Sequence, residues 1–173
     1  LYQTLHTKPD YPDKLRDTLV RRWLVSGVAA ALTPLGFRAR GVLTLQGPQL
    51  IGKTTWLQSL VPDLHLREQV VKIDHLLDPT DKDSVLGAVS HWLVELGELD
   101  ASFRKADVAR LKGFITADAD KIRRPYARLE SEYQRRTVFF ASVNDAQFLV
   151  DETGNSRFWT IAVDDVDYEH NID

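Results

Sequence analysis

An α/β domain with a mostly parallel central sheet is the fold that this sequence predicts. Two observations carry that prediction. Short apolar, β-branched segments alternate along the chain with helical patterns, as successive βαβ units require. The first strand–helix junction carries Gly47-Pro48-Gln49-Leu50-Ile51-Gly52-Lys53-Thr54-Thr55, a full match to the phosphate-binding loop pattern GxxxxGK[ST]. In such a loop the glycines let backbone N–H groups turn inward and cradle phosphate oxygens. Lys53 reaches the β/γ-phosphates, and the Thr54 hydroxyl holds Mg²⁺. A phosphate-facing Lys53 is expected to be solvated when no ligand is bound.

The elements follow in order. Asp13 to Leu32 reads as an amphipathic helix with Leu15, Leu19 and Trp23 on one stripe and Val20, Leu24 and Val28 beside it, closed by Pro34 and Gly36. Val42 to Leu45 is a buried strand. Thr54 to Val61 is the helix whose N-terminus faces the phosphates. Val70 to Ile73 is a second strand, and Asp83 to Ser90 a short helix. His91 to Leu96 is a third strand, apolar enough to be central. Arg104 to Thr116 is a helix with Val108, Leu111, Phe114 and Ile115 on its buried side. Thr137 to Val143 and Arg157 to Val163 are the fourth and fifth strands. One domain is expected, with residues 1–40 as a helical lead-in, 41–163 as the core and 164–173 as an acidic tail.

Hydrophobic content of 43% and charged content of 27% describe a soluble globular domain. No run approaches the roughly 18 apolar residues of a membrane span, so no membrane partner is expected. With no cysteine, disulfides and thiolate metal sites are excluded, which fits a cytoplasmic protein. The absence of methionine suggests a fragment of a longer product. His6, His65, His75, His91 and His170 show no metal-ligand spacing, and Trp23, Trp56, Trp92 and Trp159 sit in apolar settings that suit a core.

A phosphate loop needs partners to hydrolyse a nucleotide. An acidic residue at the end of an apolar strand binds Mg²⁺ or positions water, and the third strand delivers Glu95, with Glu98 after a Leu-Gly bend and Asp100 beyond. Asn144, at the tip of the fourth strand, suits a polar sensor of the attacking water or γ-phosphate. Arg157, in a loop entering the fifth strand, suits an arginine finger offered to a neighbouring subunit, with Arg123, Arg124, Arg135 and Arg136 as competitors. Although the net charge is −3, Lys121, Arg123, Arg124, Arg128, Arg135 and Arg136 crowd one segment against only Glu130 and Glu132. Tyr126 and Tyr133 lie among them. Such a patch suits a phosphate backbone, with the tyrosines as stacking surfaces. A solvated face is the plainer reading of the same charges.

Taken in order, GPQLIGKTTW, HWLVELGELDASFRKADVARLKGFIT, RRPYAR, RRTVFFASVND and FLVDETGNSRFW resemble the virulence-associated protein E family, over about residues 12 to 163. That family is a phage- and prophage-borne ATPase domain similar to superfamily 3 helicases, often joined to a primase-polymerase domain. The resemblance implies a three-layer, AAA+-like P-loop NTPase with strand order 5-1-4-3-2, binding ATP and Mg²⁺ and working as a homo-oligomeric ring, a hexamer, on single-stranded or forked DNA. It implies Gly47 to Thr55 as Walker A, Glu95 and Glu98 in the Walker B region, Thr54 and Glu95 on the metal, and Asn144 as sensor. The segment from Lys121 to Arg136 falls where such helicases carry a DNA-contacting hairpin. Leu50 departs from the small residue many relatives have there, and a bulky side chain beside the phosphates is expected to reshape the loop. The alternatives are a P-loop kinase acting on a nucleoside or polynucleotide end, and a DNA-binding module with a weak nucleotide site.

Overall fold

The structure, a computed structural model, describes residues 1–34, 37–97, 99, 105–117, 119–122, 131–144 and 156–170. After a 3₁₀ turn at Tyr2–Thr4 come β1 (Leu5–Thr7), α1 (Asp13–Leu32), β2 (Val42–Gln46), α2 (Lys53–Ser59), α3 (Leu64–Val70) and β3 (Val71–His75). They are followed by α4 (Lys82–Val89), β4 (Leu93–Leu96), α5 (Lys105–Ile115), β5 (Ala119–Ile122), β6 (Ser131–Gln134), β7 (Val138–Val143) and β8 (Phe158–Val166).

Six strands form one sheet in the order β1-β8-β2-β7-β4-β3. The five from β3 at one edge to β8 run parallel, and β1 is antiparallel to β8. The order differs from the expected five-strand order by this added edge strand. β1 has three residues and no readable period; its place is set by distant partners. Leu5 is buried, its carbonyl accepts from Arg16 Nη1 at 3.2 Å, and Asp167 N donates to the neighbouring Thr4 carbonyl at 2.8 Å. A separate antiparallel pair, β5 with β6, sets Lys121 opposite Glu132.

The sheet is covered on both faces, which is why β2 and β7 read as continuous apolar runs rather than alternating ones. One core cluster joins Trp23 of α1 and Trp56 of α2 to Leu43, Leu45, Phe140, Ile161 and Val163. The other joins Ala88 of α4 and Leu111 and Ile115 of α5 to Val42, Val94, Phe139 and Ala141. Helix, sheet and helix make three layers. The Trp56 and Phe140 rings stack with centroids 6.3 Å apart, and Trp23 meets Phe140 edge-on at 6.2 Å.

Two local expectations are corrected. The buried stripe of α1 is Arg16, Val20, Trp23, Gly27 and Ala30, whereas Leu15 and Val28 are exposed. The helix is rotated because Trp23 Nε1 must reach the Phe139 carbonyl, at 2.7 Å, and the Gly27 carbonyl accepts from Trp92 Nε1 at 2.9 Å. α3 was not expected: it buries none of its residues, so it carries no apolar stripe, and it is held at its start by the Asp63 carboxylate accepting from Leu66 N at 2.8 Å. The core tryptophans also divide. Trp23 and Trp56 are fully buried, while Trp92 and Trp159 are half-buried at the rim.

Candidate functional site

The loop from Gly47 to Gly52 leaves the carboxyl end of β2 and opens onto α2, at the crevice where an open parallel sheet binds its ligands. Backbone packing dictates its glycines. A Cβ on Gly47 would lie 2.2 Å from the Val163 carbonyl oxygen, and Gly47 N donates to the Val143 carbonyl at 3.1 Å. Gly52 adopts φ +90°, and a Cβ there would lie 2.3 Å from Cδ1 of Tyr168. Leu50 also has a left-handed φ, 66°, which explains why a small residue or glycine suits this position. Its side chain is 97% exposed. It projects away from the loop interior.

Lys53 is buried, not solvated as expected. Its ammonium donates to the Gly47 and Pro48 carbonyls at 2.8 and 2.5 Å and to Asn144 Oδ1 at 3.4 Å. An ammonium this deep needs acceptors, and the loop's own carbonyls supply them. Asn144, at the tip of β7, is thus brought to Lys53.

Beside it lies a cluster of oxygen donors. Glu95 on β4 is 2% exposed, and its Oε1 accepts from Thr54 Oγ1 at 2.7 Å and from Ser142 Oγ at 2.6 Å. The two hydroxyls are 3.4 Å apart. Glu95 Oε2 faces the backbone N–H of Asp74 at 3.4 Å. Strand order explains the meeting: β4 and β7 are neighbours, and β7 lies between β4 and the β2 that feeds α2. Two hydroxyls and a carboxylate are hard donors of the kind Mg²⁺ takes, alongside substrate phosphates. Among the described residues no group of three or more His, Cys, Asp or Glu could hold a metal by itself.

Two contributors were missed from sequence. Ser142 reads as one polar interruption of an apolar strand; only the β4–β7 pairing puts it on Glu95. Asp74 has a left-handed φ of 49°, and its Oδ1 occupies the space a Cβ on Gly97 would need. A positive φ at a non-glycine strand end is not visible in the sequence.

The remaining expected site residues scatter. Glu98, Asp100, Arg123, Arg124 and Arg128 lie outside the described residues. Lys121 is on β5. Arg135 is corrected as a DNA contact: it is 1% exposed, its Nη1 donates to the Phe114 carbonyl, and its guanidinium lies 4.0 Å from the centre of the Phe114 ring. It adds a charged donor to the Phe114 carbonyl at the end of α5, which also accepts from Ala117 N at 3.2 Å. Arg136 is exposed and does the same for α1, donating to the Ala31 carbonyl at 2.8 Å. Arg157 immediately precedes β8, at the amino end of the strands, opposite the loop from Gly47 to Gly52. His75 is held by α4: Nε2 lies 2.9 Å from the Ser84 carbonyl, and burial pushes its pKa down. His91 Nδ1 lies 2.9 Å from the Gly87 carbonyl, a structural place.

Among solved structures, the chain is similar to the apo NrS-1 C-terminal region. In one such structure the TM-score is 0.56 at 19% identity, covering 99% of this chain and 43% of that one. An A-form structure of the same region gives 0.54 at 17% identity, with 99% and 42% covered. The chain therefore spans less than half the length of those proteins, and at such identity the likeness is one of fold. No curated protein matches. No described helix is long and apolar enough to cross a membrane. The family model for the virulence-associated protein E-like domain matches residues 3–173, and the chain belongs to that family.

Proposed function

We propose that this domain is a Mg²⁺-dependent ATPase, the motor part of a phage- or prophage-type DNA replication protein acting on single-stranded or forked DNA as a ring of copies. The observation that carries the reading is the convergence of Lys53, Thr54, Glu95, Ser142 and Asn144 at the carboxyl ends of three adjacent strands and their loops. Family membership supports this setting, and the NrS-1 likeness supports the fold that it needs.

Lys53 exchanges the Gly47 and Pro48 carbonyls for β/γ-phosphate oxygens, so an internal contact becomes a ligand contact at little cost in desolvation. Thr54 and Glu95 would hold Mg²⁺, and the ion would supply positive charge against the transferring phosphoryl group. Ser142 keeps the Glu95 carboxylate aimed. Asn144 senses the γ-phosphate side from its place beside Lys53, and Glu98 orients the attacking water. Arg157 does not serve its own loop. β2 alone separates the two ends of the sheet by about 16 Å, at ~3.3 Å per residue, so Arg157 acts as a finger on the nucleotide of a neighbouring copy.

The test is phosphate release from Mg-ATP with and without single-stranded DNA, with mass measured by light scattering. DNA-stimulated hydrolysis by an assembled species is expected, and Lys53→Ala should abolish it and weaken Mg-ATP binding in calorimetry. Wild-type affinity in that variant would remove the loop from the mechanism. Phosphate transfer to a nucleoside by a monomer would replace the ATPase with a kinase.

A further inference from the structure

Strand β8 outruns the strand it flanks. Ala162 pairs with Gln46, the last residue of β2, and β8 continues to Val166. The overhang runs beside the loop from Gly47 to Gly52, with the Val163 carbonyl against Gly47. Strand β1 pairs with the overhang, Leu5 opposite Val166, and gives it a partner where β2 has ended. Two residues beyond the end of β8 stands Tyr168.

Its position is fixed from both sides. Asp167 N donates to the Thr4 carbonyl at 2.8 Å, and Thr4 Oγ1 accepts from Trp56 Nε1 of α2 at 3.0 Å. Asp167 Oδ1 accepts from the backbone N–H groups of Glu169 and His170, each at 3.2 Å, which turns the chain at Tyr168. The ring then meets Gly52 by its edge. Cδ1 and Cε1 lie 2.3 and 2.6 Å from where a Cβ on Gly52 would be, and Cγ lies 3.5 Å away. The faces of the ring are therefore not spent on the loop, and Tyr168 is 39% exposed.

We propose that Tyr168 is the platform on which the base of a bound nucleotide stacks, an inference that rests on the ATPase reading of the loop. The sheet gives the direction. Glu95, Ser142 and Asn144 stand on the β7 and β4 side of β2, so the reacting end of a triphosphate belongs there. Strand β8 flanks β2 on the other side, and the rest of the nucleotide leaves towards it. Charge agrees with that polarity. Asp164, Asp165 and Asp167 lie at this end of β8. Carboxylates repel phosphates and suit an uncharged nucleoside, whose ribose hydroxyls donate to them. An aromatic face accepts any base because every base has a π-face, and a purine covers more of it than a pyrimidine. Tyr168 therefore sets a graded preference for purine nucleotides, not a strict choice of adenine.

The experiment is calorimetric titration with Mg-ATP, Mg-CTP and inorganic triphosphate with Mg²⁺. The wild-type chain is compared with Tyr168→Ala, Tyr168→Phe, Tyr168→Trp and Lys53→Ala. Mg-ATP should bind the wild-type chain more tightly than Mg-CTP or triphosphate. Tyr168→Ala should weaken Mg-ATP at least about fivefold, the loss of one base–aromatic stack. It should leave triphosphate within about twofold and bring ATP and CTP together. Tyr168→Phe and Tyr168→Trp should keep the preference, since the ring and not the hydroxyl carries it, and they test the idea even if the Ala variant does not fold. Equal weakening of Mg-ATP and triphosphate in Tyr168→Ala means that the ring only props Gly52, and overturns the proposal. So does Mg-ATP affinity untouched in Tyr168→Ala, or lost equally in Tyr168→Phe. Lys53→Ala separates the two levels. If neither Mg-ATP nor triphosphate binds through Lys53, the loop reading fails and takes this inference with it. ATP that binds through Lys53 and Tyr168 but is not hydrolysed leaves the platform standing and overturns the ATPase alone.

Discussion

Replacing Glu95 separates its structural role from its chemical one. Its Oε1 is the common acceptor for Thr54 and Ser142, at 2.7 and 2.6 Å, in a position 2% exposed. In Glu95→Ala both hydroxyls lose that acceptor. They lie 3.4 Å apart, so one can donate to the other, and one donor is left unsatisfied at about 1–3 kcal/mol. The lost side-chain methylene adds about 0.8 kcal/mol, for a total of roughly 2–4 kcal/mol. Glu95→Gln keeps a carbonyl oxygen for both hydroxyls. Its amide nitrogen, placed where Oε2 was, meets the Asp74 N–H at 3.4 Å, donor against donor, a cost of about 1 kcal/mol or less. For a chain of this length about 1 kcal/mol moves Tm by ~2–4 °C. The Gln variant should therefore melt within about 4 °C of wild type and the Ala variant about 5–15 °C below it. Both should hydrolyse Mg-ATP about 10–100-fold more slowly and need more Mg²⁺ for half-maximal rate, as loss of a group that holds a metal or its ligands does. Thermal melts and ATPase rates against Mg²⁺ concentration measure the two effects. If both variants melt together and keep full turnover, Glu95 is not the node, and the acid must be sought at Glu98, Asp74 or Asp100.

Three further outcomes are expected. Gly52→Ala should impair Mg-ATP binding and destabilise by about 1–3 kcal/mol, because it combines φ +90° with a Cβ only 2.3 Å from Tyr168; adding Tyr168→Ala should restore part of the stability in denaturant melts but not the part due to φ. Burial lowers the pKa of His75, so the unfolded chain takes up its proton first. Stability from this residue is intact above the ordinary histidine value of about 6.5 and falls as pH drops below it; His75→Gln should flatten that part of a stability-against-pH profile, and an unchanged slope would assign it elsewhere. Arg135→Ala should cost about 2–5 kcal/mol in chemical denaturation, from a charge-assisted bond to the Phe114 carbonyl and a ring contact at 4.0 Å, with Arg135→Lys recovering only part because an ammonium lacks the flat face. A stability-neutral Arg135→Ala would return that arginine to the candidates for DNA contact.

What the sequence determined by itself is what short range decides. The run Gly47 to Thr55 was legible as a tight glycine-bounded loop between strand and helix because its backbone needs glycine where a Cβ has no room and where φ turns positive. Helix α1 was legible to its end residues, Asp13 and Leu32, since its twenty residues contain no proline and a single glycine, and Pro34 and Gly36 follow it. The apolar runs of β2, β4 and β7 were legible because strands buried on both faces leave no polar alternation. Glu95 was visible as an acid in such a run. Tertiary structure decided the rest. Which face of α1 is buried depends on where Trp23 and Gly27 find partners on other strands. Strand β1 exists because β8 offers an edge and Arg16 reaches back to Leu5. Ser142 joins the site because β7 happens to lie between β4 and β2. Arg135 and Arg136 looked like surface charge, yet one is buried and both end helices, because the backbone carbonyls they satisfy belong to residues 21 and 105 positions away. Arg38, Arg40 and Arg157 share a cavity although well over a hundred residues separate the first from the last. Local propensity acts over a few residues of chain. Charges and hydrogen bonds act over a few ångströms of space, and only the folded sheet turns one separation into the other.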